Sequence, residues 1–514
     1  MLNREIPFLK LTAALAAGIL AGVNLPGSRI SIWLPLIAFI PLTLSLLYSR
    51  KSIISPRHSL LTILFLAAAG FSLYRLKMYY PMPPEPAATI YTVRADNFPE
   101  KREKSVKLPV TIISPHPSPR SGKDVRMMLY FRDTISTTDI TPGSHFSIFL
   151  NPAQITDPDS SDNFNYPLYM KRKGFLLYSF AGAELSPVEG APGLRNRALL
   201  IREKIAALMA RYNYRSDALG LTAALTLGHR EMLSPDITED FRRSGITHIL
   251  AVSGLHVGMF SLLVLGILSF LKGRLSIIPP LAAIIAIWCF ALVTGLGPSV
   301  TRAALMFSFL HAGLLIRRGV NSINSLLASA FVLLVINPAL LFDTGFQLSY
   351  SAVLFILLFY RDLVSLIPVK NRLIKKLWSM TAITILAQAG TLPFIIYYFN
   401  SVPLLSVITN IVAIPAAFLI LAGGIATVVT SPLPVIPHIA AFLANGTSLV
   451  LIKVTAMLSA IPFASVSTPA ISRPFFLSLV ILLPMALSLL LKREKVHIHL
   501  VITCAIVSIL LSVL

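Results

Sequence analysis

The chain of 514 residues is 55% hydrophobic and 13% charged, against roughly a quarter charged in ordinary globular domains, which excludes a mainly soluble protein. Its 44 lysines and arginines outnumber 22 aspartates and glutamates, for a formal charge of +22; such an excess suits nucleic acid, anionic lipid or the positive cytoplasmic loops of a membrane protein. Cys289 and Cys504 are the only cysteines, which excludes a disulfide framework and a cysteine-based zinc cluster.

Several windows exceed the roughly 18 apolar residues that mark a membrane span, so the fold class is a polytopic α-helical membrane protein. In chain order the expected spans are 8–23, 32–48 and 60–74, then 248–271, 277–295, 300–316, 323–336, 345–360, 378–399, 403–430, 438–460, 474–491 and 497–514, about thirteen in all. Several are short or polar, so one or two are expected to be broken or re-entrant. The first has the size of a signal peptide, but two further spans follow it directly and it reads as a retained helix. The domain organisation is then a three-helix membrane segment over 1–74, an inserted domain over 75–195, amphipathic and lead-in helices over 196–246, and a membrane core over 247–514.

Lysine and arginine in the short loops orient the chain. Arg50, Lys51 and Arg57, Lys272 and Arg274, Arg317 and Arg318, the run from Arg361 to Lys376, and Lys492, Arg493 and Lys495 all fall on one side if the spans alternate. That side is the cytoplasm by the positive-inside rule, which puts 75–195 outside a bacterial cytoplasmic membrane. The inserted domain carries strand-like runs at 89–94, 106–113, 125–131, 145–150 and 175–180, separated by turn-rich pieces such as Pro115-His116-Pro117-Ser118-Pro119. Five short strands fit a small β-barrel of the OB type, a fold often used on single-stranded nucleic acid. Its basic runs have acidic neighbours and read as a solvated face. An amphipathic helix over about 196–212, with Arg202, Lys204 and Arg211 outside its apolar stripe, suits the membrane interface. A short helix over about 217–232 is small-residue-rich and is expected to be re-entrant or packed beside a pore.

The most informative stretch is 227–258, LGHREMLSPDITEDFRRSGITHILAVSGLHVG. Ser234 and Pro235 read as a helix start, the serine capping a free N–H and the proline having none to leave unpaired. Gly245 offers a left-handed stop. Beyond it an apolar segment carries His248, Ser253, Gly254, His256 and Gly258, polar or small residues that are costly in lipid unless they face protein or water. Ser253 and His256 share a helical face. They read either as nucleophile and base, for which no acidic third partner is evident, or as polar contacts between helices or along a hydrated passage. Arg302 sits at the outer end of its span, where it either snorkels to headgroups or meets an anionic cargo. Asp343, Gln347 and Ser351 form one polar stripe, Thr381, Thr384, Gln388 and Thr391 a second, and Ser406 with Asn410 a third. Several such stripes together favour a water-filled route. Lys453 has no evident partner.

Particular runs carry a resemblance: Gly228-His229-Arg230, Phe241-Arg242-Arg243-Ser244-Gly245, the ten residues from His248 to Val257, Pro298-Ser299-Val300-Thr301-Arg302-Ala303, the seven from Asp343 to Ser349, Thr391-Leu392-Pro393, the six from Asn410 to Pro415, and, in the inserted domain, the stretch from Phe164 to Gly174. In order and content they resemble the ComEC family, inner-membrane DNA-uptake channels of transformable bacteria. The resemblance implies that the chain translocates single-stranded DNA across the cytoplasmic membrane during natural transformation, and it strengthens the OB reading of the inserted domain. His229, Arg230, Arg242, Arg243, His248, Ser253, His256, Arg302, Asp343, Gln347, Gln388 and Asn410 are the candidate lining of the DNA path, where a polyanion needs donors and positive charge.

Many members of that family carry a C-terminal metallo-β-lactamase-like domain. Here His497 and His499 lack the further ligands such a site needs, and no Walker-type loop is present. The expectation is a form without the nuclease-type domain, not itself an enzyme, with no cofactor and no metal. Its partners would be single-stranded DNA, the lipid bilayer, a separate DNA receptor, a cytoplasmic ATPase, a nuclease and further copies of itself. Two other functions fit parts of the pattern, a secondary transporter of a small anionic solute and an intramembrane serine hydrolase.

Overall fold

The computed structural model describes residues 7–24, 37, 39–41, 56–78, 88–101, 105–115, 125–132, 140–156, 166–182, 185–315, 321–462 and 464–491. They divide into two compact units, Leu76–Ile205 and the combination of Met1–Arg75 with Ala206–Leu514. Helices α1 (Pro7–Asn24) and α2 (Pro56–Met78) open the chain. They cross where two glycines meet backbone: a Cβ added at Gly18 would lie 1.9 Å from the Ala67 carbonyl oxygen, and one at Gly70 would lie 2.3 Å from that of Leu15. Close approach through small residues is how helices associate in lipid, where no hydrophobic effect drives them together.

The smaller unit is built on β1 (Thr89–Ala95), β2 (Glu100–Lys101), β3 (Ser105–Ser114), β4 (Val125–Arg132), β5 (His145–Leu150), β6 (Ala153–Gln154), a short helix α3 (Tyr166–Arg172), β7 (Phe175–Ala181) and β8 (Ser186–Val188). The strands join in one sheet of order β6-β7-β4-β3-β1-β5-β8, with β2 beside β3. Every pairing is antiparallel except β4 with β7. Alternation explains the core: Val106, Leu108 and Val110 of β3 and Val125, Met127, Leu129 and Phe131 of β4 all point to one side and are buried together. On the other face Met170 of α3 packs on Met128 and Phe175. The five expected strands are all present; β2, β6 and β8 are two or three residues long, too short to show a period. Buried Asp96 accepts from Thr111 Oγ1 at 2.9 Å and from Arg126 Nε at 3.1 Å, tying β4 to the end of β1.

The next helix, α4 (Leu194–Ala210), begins in this unit. Arg202, expected on its polar face, is buried instead, with its guanidinium 5.7 Å from the centre of the Phe98 ring. Aromatic cover of an arginine stem is invisible to helix periodicity, because the ring comes from another element.

The larger unit continues with α5 (Ser216–Leu227), a 3-10 turn at Arg230–Met232, α6 (Pro235–Arg243), α7 (Thr247–Leu250), α8 (Gly254–Ile267), a 3-10 segment at Gly273–Ile277, α9 (Ile278–Val293), α10 (Pro298–Leu315), α11 (Ser322–Ile336), another at Pro338–Phe342, α12 (Thr344–Ser365), α13 (Arg372–Phe399), β9 (Ser401–Pro403), α14 (Ser406–Val429), α15 (Ile436–Ser459), β10 (Ser465–Ser467) and α16 (Arg473–Leu490). Among the described residues six helical stretches are long and apolar enough to cross a membrane: Ser59–Met78, Leu275–Val293, Thr344–Ser365, Arg372–Phe399, Ser406–Val429 and Ile436–Ser459. The chain is thus mostly helical, compatible with a multi-pass membrane protein, and carries a small sheet region. The spans expected at 32–48 and 497–514 lie largely outside the described residues. The expected span 248–271 is interrupted: α7 ends at Leu250, Ala251 to Ser253 are extended, and α8 restarts at Gly254. At about 1.5 Å per residue, fourteen-residue α8 reaches about 21 Å, short of the roughly 30 Å of hydrocarbon.

Small residues also set the tight junction of α5 with α14 and α15. A Cβ on Gly424 would lie 2.6 Å from Thr226 Cγ2 and 3.0 Å from Thr222 Cγ2, and Thr222 and Ser448 share a hydrogen bond of 3.1 Å between their hydroxyls. The α6 region is anchored differently. Ser234 caps α6 by accepting the Ile237 N–H at 3.4 Å, with Pro235 in the first turn, as its sequence implies. Phe241 is fully buried, and Ser459 of α15 donates to Asp240. Gly245 then turns the chain at φ +81°, and a Cβ there would lie 2.6 Å from Pro403 Cβ and 2.9 Å from Ser406 Cβ. Gly245→Ala should therefore destabilise by about 1–2 kcal/mol from the left-handed backbone alone, with a further cost from the contact. The thermal midpoint of the purified protein in detergent checks this, and an unchanged midpoint would show that the turn is not held as described.

Candidate functional site

The site centres on the helix interruption between α7 and α8. Residues of two other segments meet it, the end of α5 and the end of α9: a Cβ added at left-handed Gly228 (φ +71°) of the first would lie 3.4 Å from Val252 Cγ2 and 3.5 Å from Thr294 Cβ of the second. Unpaired backbone is costly in hydrocarbon, so an extended stretch is tolerated only where protein or water surrounds it. Val252 is buried, Ala251 and Ser253 are partly so, and His248 and Thr247 are exposed. α8 restarts with a local device. His256 Nδ1 accepts the Ser253 backbone N–H at 3.3 Å, and Ser253 Oγ lies 3.1 Å from the same nitrogen. This is the reciprocal arrangement of a capping box, with histidine in the position glutamate or glutamine usually takes. His256 is fully buried and its Nε2 has no hydrogen-bond partner in the structure. Among the described residues no acid reaches that nitrogen, and helix capping accounts for the Ser253–His256 contact.

The basic residues before the interruption are accessible. Arg230, Arg242 and Arg243 are exposed. Arg242 makes a bidentate pair with Glu239 at 2.6 and 2.7 Å, and its hydrogen bond holds the Glu239 carboxyl below the usual carboxylate range. His229 Nε2 lies 3.6 Å from Glu231.

The polar stripes resolve into separate contacts. Gln388 Nε2 donates to the Pro403 carbonyl at 2.9 Å and its Oε1 accepts from Ser406 Oγ at 2.9 Å, so this amide braces the corner on which Gly245 rests. Gln347 donates to the Leu341 carbonyl at 3.1 Å and accepts from Tyr398 at 2.9 Å. Both amides join neighbouring elements and use both ends to do so. Asn410 is buried with Oδ1 unpartnered. Arg302, 6% exposed, lies with Nη1 3.7 Å from Asp343 Oδ1, and Asp343 caps α12 by accepting the Phe346 N–H at 2.8 Å. Two sequence-selected residues far apart in the chain are thereby brought together. Lys453, unplaced by sequence, is exposed.

Sequence reasoning passed over the pair of Ser261 and His311, buried between α8 and α10 with Oγ 2.7 Å from Nε2, and the Ser329–Tyr350 hydroxyl pair at 2.9 Å. A histidine inside an apolar helix was the available signal for the first. A cavity of about 120 Å³ lies between α1, α11, α12, α13 and α16, lined mainly by apolar residues such as Leu9, Leu327, Phe355 and Leu483; of the residues in the expected polar stripes, Gln347 and Ser351 reach it. Among the described residues no three His, Cys, Asp or Glu side chains group as metal ligands would.

Comparison with known proteins covers this same region. The family model for "Competence protein" matches residues 225–495, just over half of the chain. ComE operon protein 3 of Bacillus subtilis (strain 168) is 34% identical over 216 residues, 41% of this chain and 26% of that protein. Competence protein ComA of Neisseria gonorrhoeae is 29% identical over 210 residues, 39% of this chain and 29% of that protein. The matched stretches thus span about a quarter of the length of these curated relatives. No solved structure matches.

The capping geometry makes a direct prediction. Ser253→Ala should cost about 1 kcal/mol, and Ser253→Asn, which caps as well as serine but cannot act as a nucleophile, should restore the thermal midpoint and the activity. Equal and complete loss of activity in both, at wild-type stability, would mean the hydroxyl has a chemical role.

Proposed function

The chain belongs to the competence-protein family, and from that premise we propose that it forms the route by which single-stranded DNA crosses the cytoplasmic membrane during natural transformation. The observation that carries this reading is the interrupted helix of α7 and α8, set inside the matched region and preceded by exposed Arg230, Arg242, Arg243 and His248. A polyanion passing through lipid needs a hydrated lining with donors and positive charge. Non-helical backbone at membrane depth is tolerated where it is enclosed by protein or lines such a cavity. Buried Arg302, His256 and Asn410 add polar groups to the same bundle, and we assign the twelve sequence-selected residues, from His229 to Asn410, to the path or to its immediate support.

In this reading the chain has about thirteen spans, and the sheet unit is an OB-like domain on the outer side of the membrane. The strand order β7-β4-β3-β1-β5 with its parallel β4–β7 pair supports the OB assignment, and the lysine and arginine loops support the orientation. A DNA receptor, an ATPase and a nuclease are the partners this reading calls for.

Deleting the gene in a transformable host and following labelled DNA tests the function. DNA should still reach the outer compartment and fail to reach the cytoplasm; normal arrival in the cytoplasm would refute the reading. The orientation is checked separately. Alkaline phosphatase joined after Asn151 should be active and, joined after Lys370, inactive, and the reverse pattern would overturn it.

A further inference from the structure

Arg302 and Asp343 form an ion pair of unusual looseness. Arg302 is more than nine-tenths buried, yet its Nε and Nη1 have no hydrogen-bond partner in the structure, and its closest approach to the Asp343 carboxylate is 3.7 Å. Asp343 spends Oδ1 on the first turn of α12, accepting from the Phe346 N–H at 2.8 Å, and its side chain stays one quarter exposed. The guanidinium faces that turn: a Cβ on Gly345 would lie 3.4 Å from Nη2 and 3.7 Å from Nη1. An arginine with unmet donors, the N–H-rich start of a 22-residue helix and a glycine that leaves room between them make a cradle for an oxyanion. Among the described residues, the anion beside it is the Asp343 carboxylate.

We infer that Arg302 is a transient phosphodiester contact on the DNA path and that Asp343 is its built-in competitor, displaced by each passing phosphate and restored behind it. The inference rests on the translocation reading above. Buried donors left without acceptors favour an incoming anion, because satisfying them recovers a desolvation cost already incurred. A carboxylate waiting at 3.7 Å limits how tightly that anion is held. Conduction requires both properties, since a cargo must be bound well enough to enter a site and weakly enough to leave it. A purely structural pair would be closed, with hydrogen bonds rather than a gap, as Arg242 and Glu239 are at 2.6 Å.

The two partners therefore have opposite effects on binding. The test uses the full chain in phosphatidylcholine nanodiscs with and without phosphatidylglycerol, a fluorescent single-stranded oligonucleotide as probe, titrations at several salt concentrations, and a thermal midpoint for every variant. Arg302→Gln should weaken binding and reduce the slope of log affinity against log salt by about 0.7, the loss of one phosphate contact on a single strand. Asp343→Asn keeps a capping side chain on α12; it should tighten binding by roughly fivefold, the worth of a weak ion pair, and slow uptake in cells. If both variants lose thermal stability together while binding per folded molecule stays at the wild-type value, the pair is a helix tie and the inference falls. If Arg302→Gln instead releases bound phosphatidylglycerol and leaves oligonucleotide binding unchanged, the cradle serves a lipid headgroup and the inference also falls. If the wild-type chain binds no oligonucleotide and the deletion leaves uptake intact, the translocation reading fails and takes this one with it; wild-type binding with no effect of either substitution defeats this one alone.

Discussion

A backbone that leaves the helix inside a lipid-embedded bundle must find other surroundings for its polar groups, and that constraint organises the larger unit. Ala251 to Ser253 break what would otherwise be one long apolar helix. Around the break the end of α5, the end of α9 and the Ser253–His256 cap are drawn to one place, and the adjacent Gly245 turn is pinned against Pro403 and Ser406. Gln388 braces the other side of that corner. Each contact removes a degree of freedom from a segment with too little hydrogen bonding of its own to be stable in lipid.

The polar groups of this region fall into those tied to fixed partners and those left free. The Ser253–His256 contact is satisfied by capping, and the amides of Gln347 and Gln388 are committed to fixed partners. What is left uncommitted is mostly positive or donor-rich: exposed Arg230 and Arg243, and the unmet donors of Arg302. These are the groups a moving polyanion could use without disturbing the bundle.

Much of this was legible in the chain. Ser234-Pro235 starts a helix, Gly245 stops one, and the five main strands fall where alternation puts them, because each depends on residues close in sequence. The helix break was not located, since Ala251-Val252-Ser253 is as apolar as its flanks and only the packing of Gly228 and Thr294 makes room for it. Polar stripes were found, but which amide ties and which side chain stays free is decided by partners dozens or hundreds of residues away, as with Gln347 and Tyr398 or Arg302 and Asp343. Arg202 was assigned to a wet face for the same reason, its aromatic cover lying on another element.

The central claim is that the interruption between α7 and α8 opens onto water rather than lipid. It can be measured with single cysteines in a chain whose Cys289 and Cys504 are replaced by serine. A membrane-impermeant thiol reagent should modify His248→Cys rapidly in intact membranes opened on both sides, with protection by single-stranded oligonucleotide, and should modify Phe442→Cys, on the outward face of α15, slowly. Equal slow reaction at both positions, untouched by the oligonucleotide, would mean the break is sealed in hydrocarbon and would contradict the account.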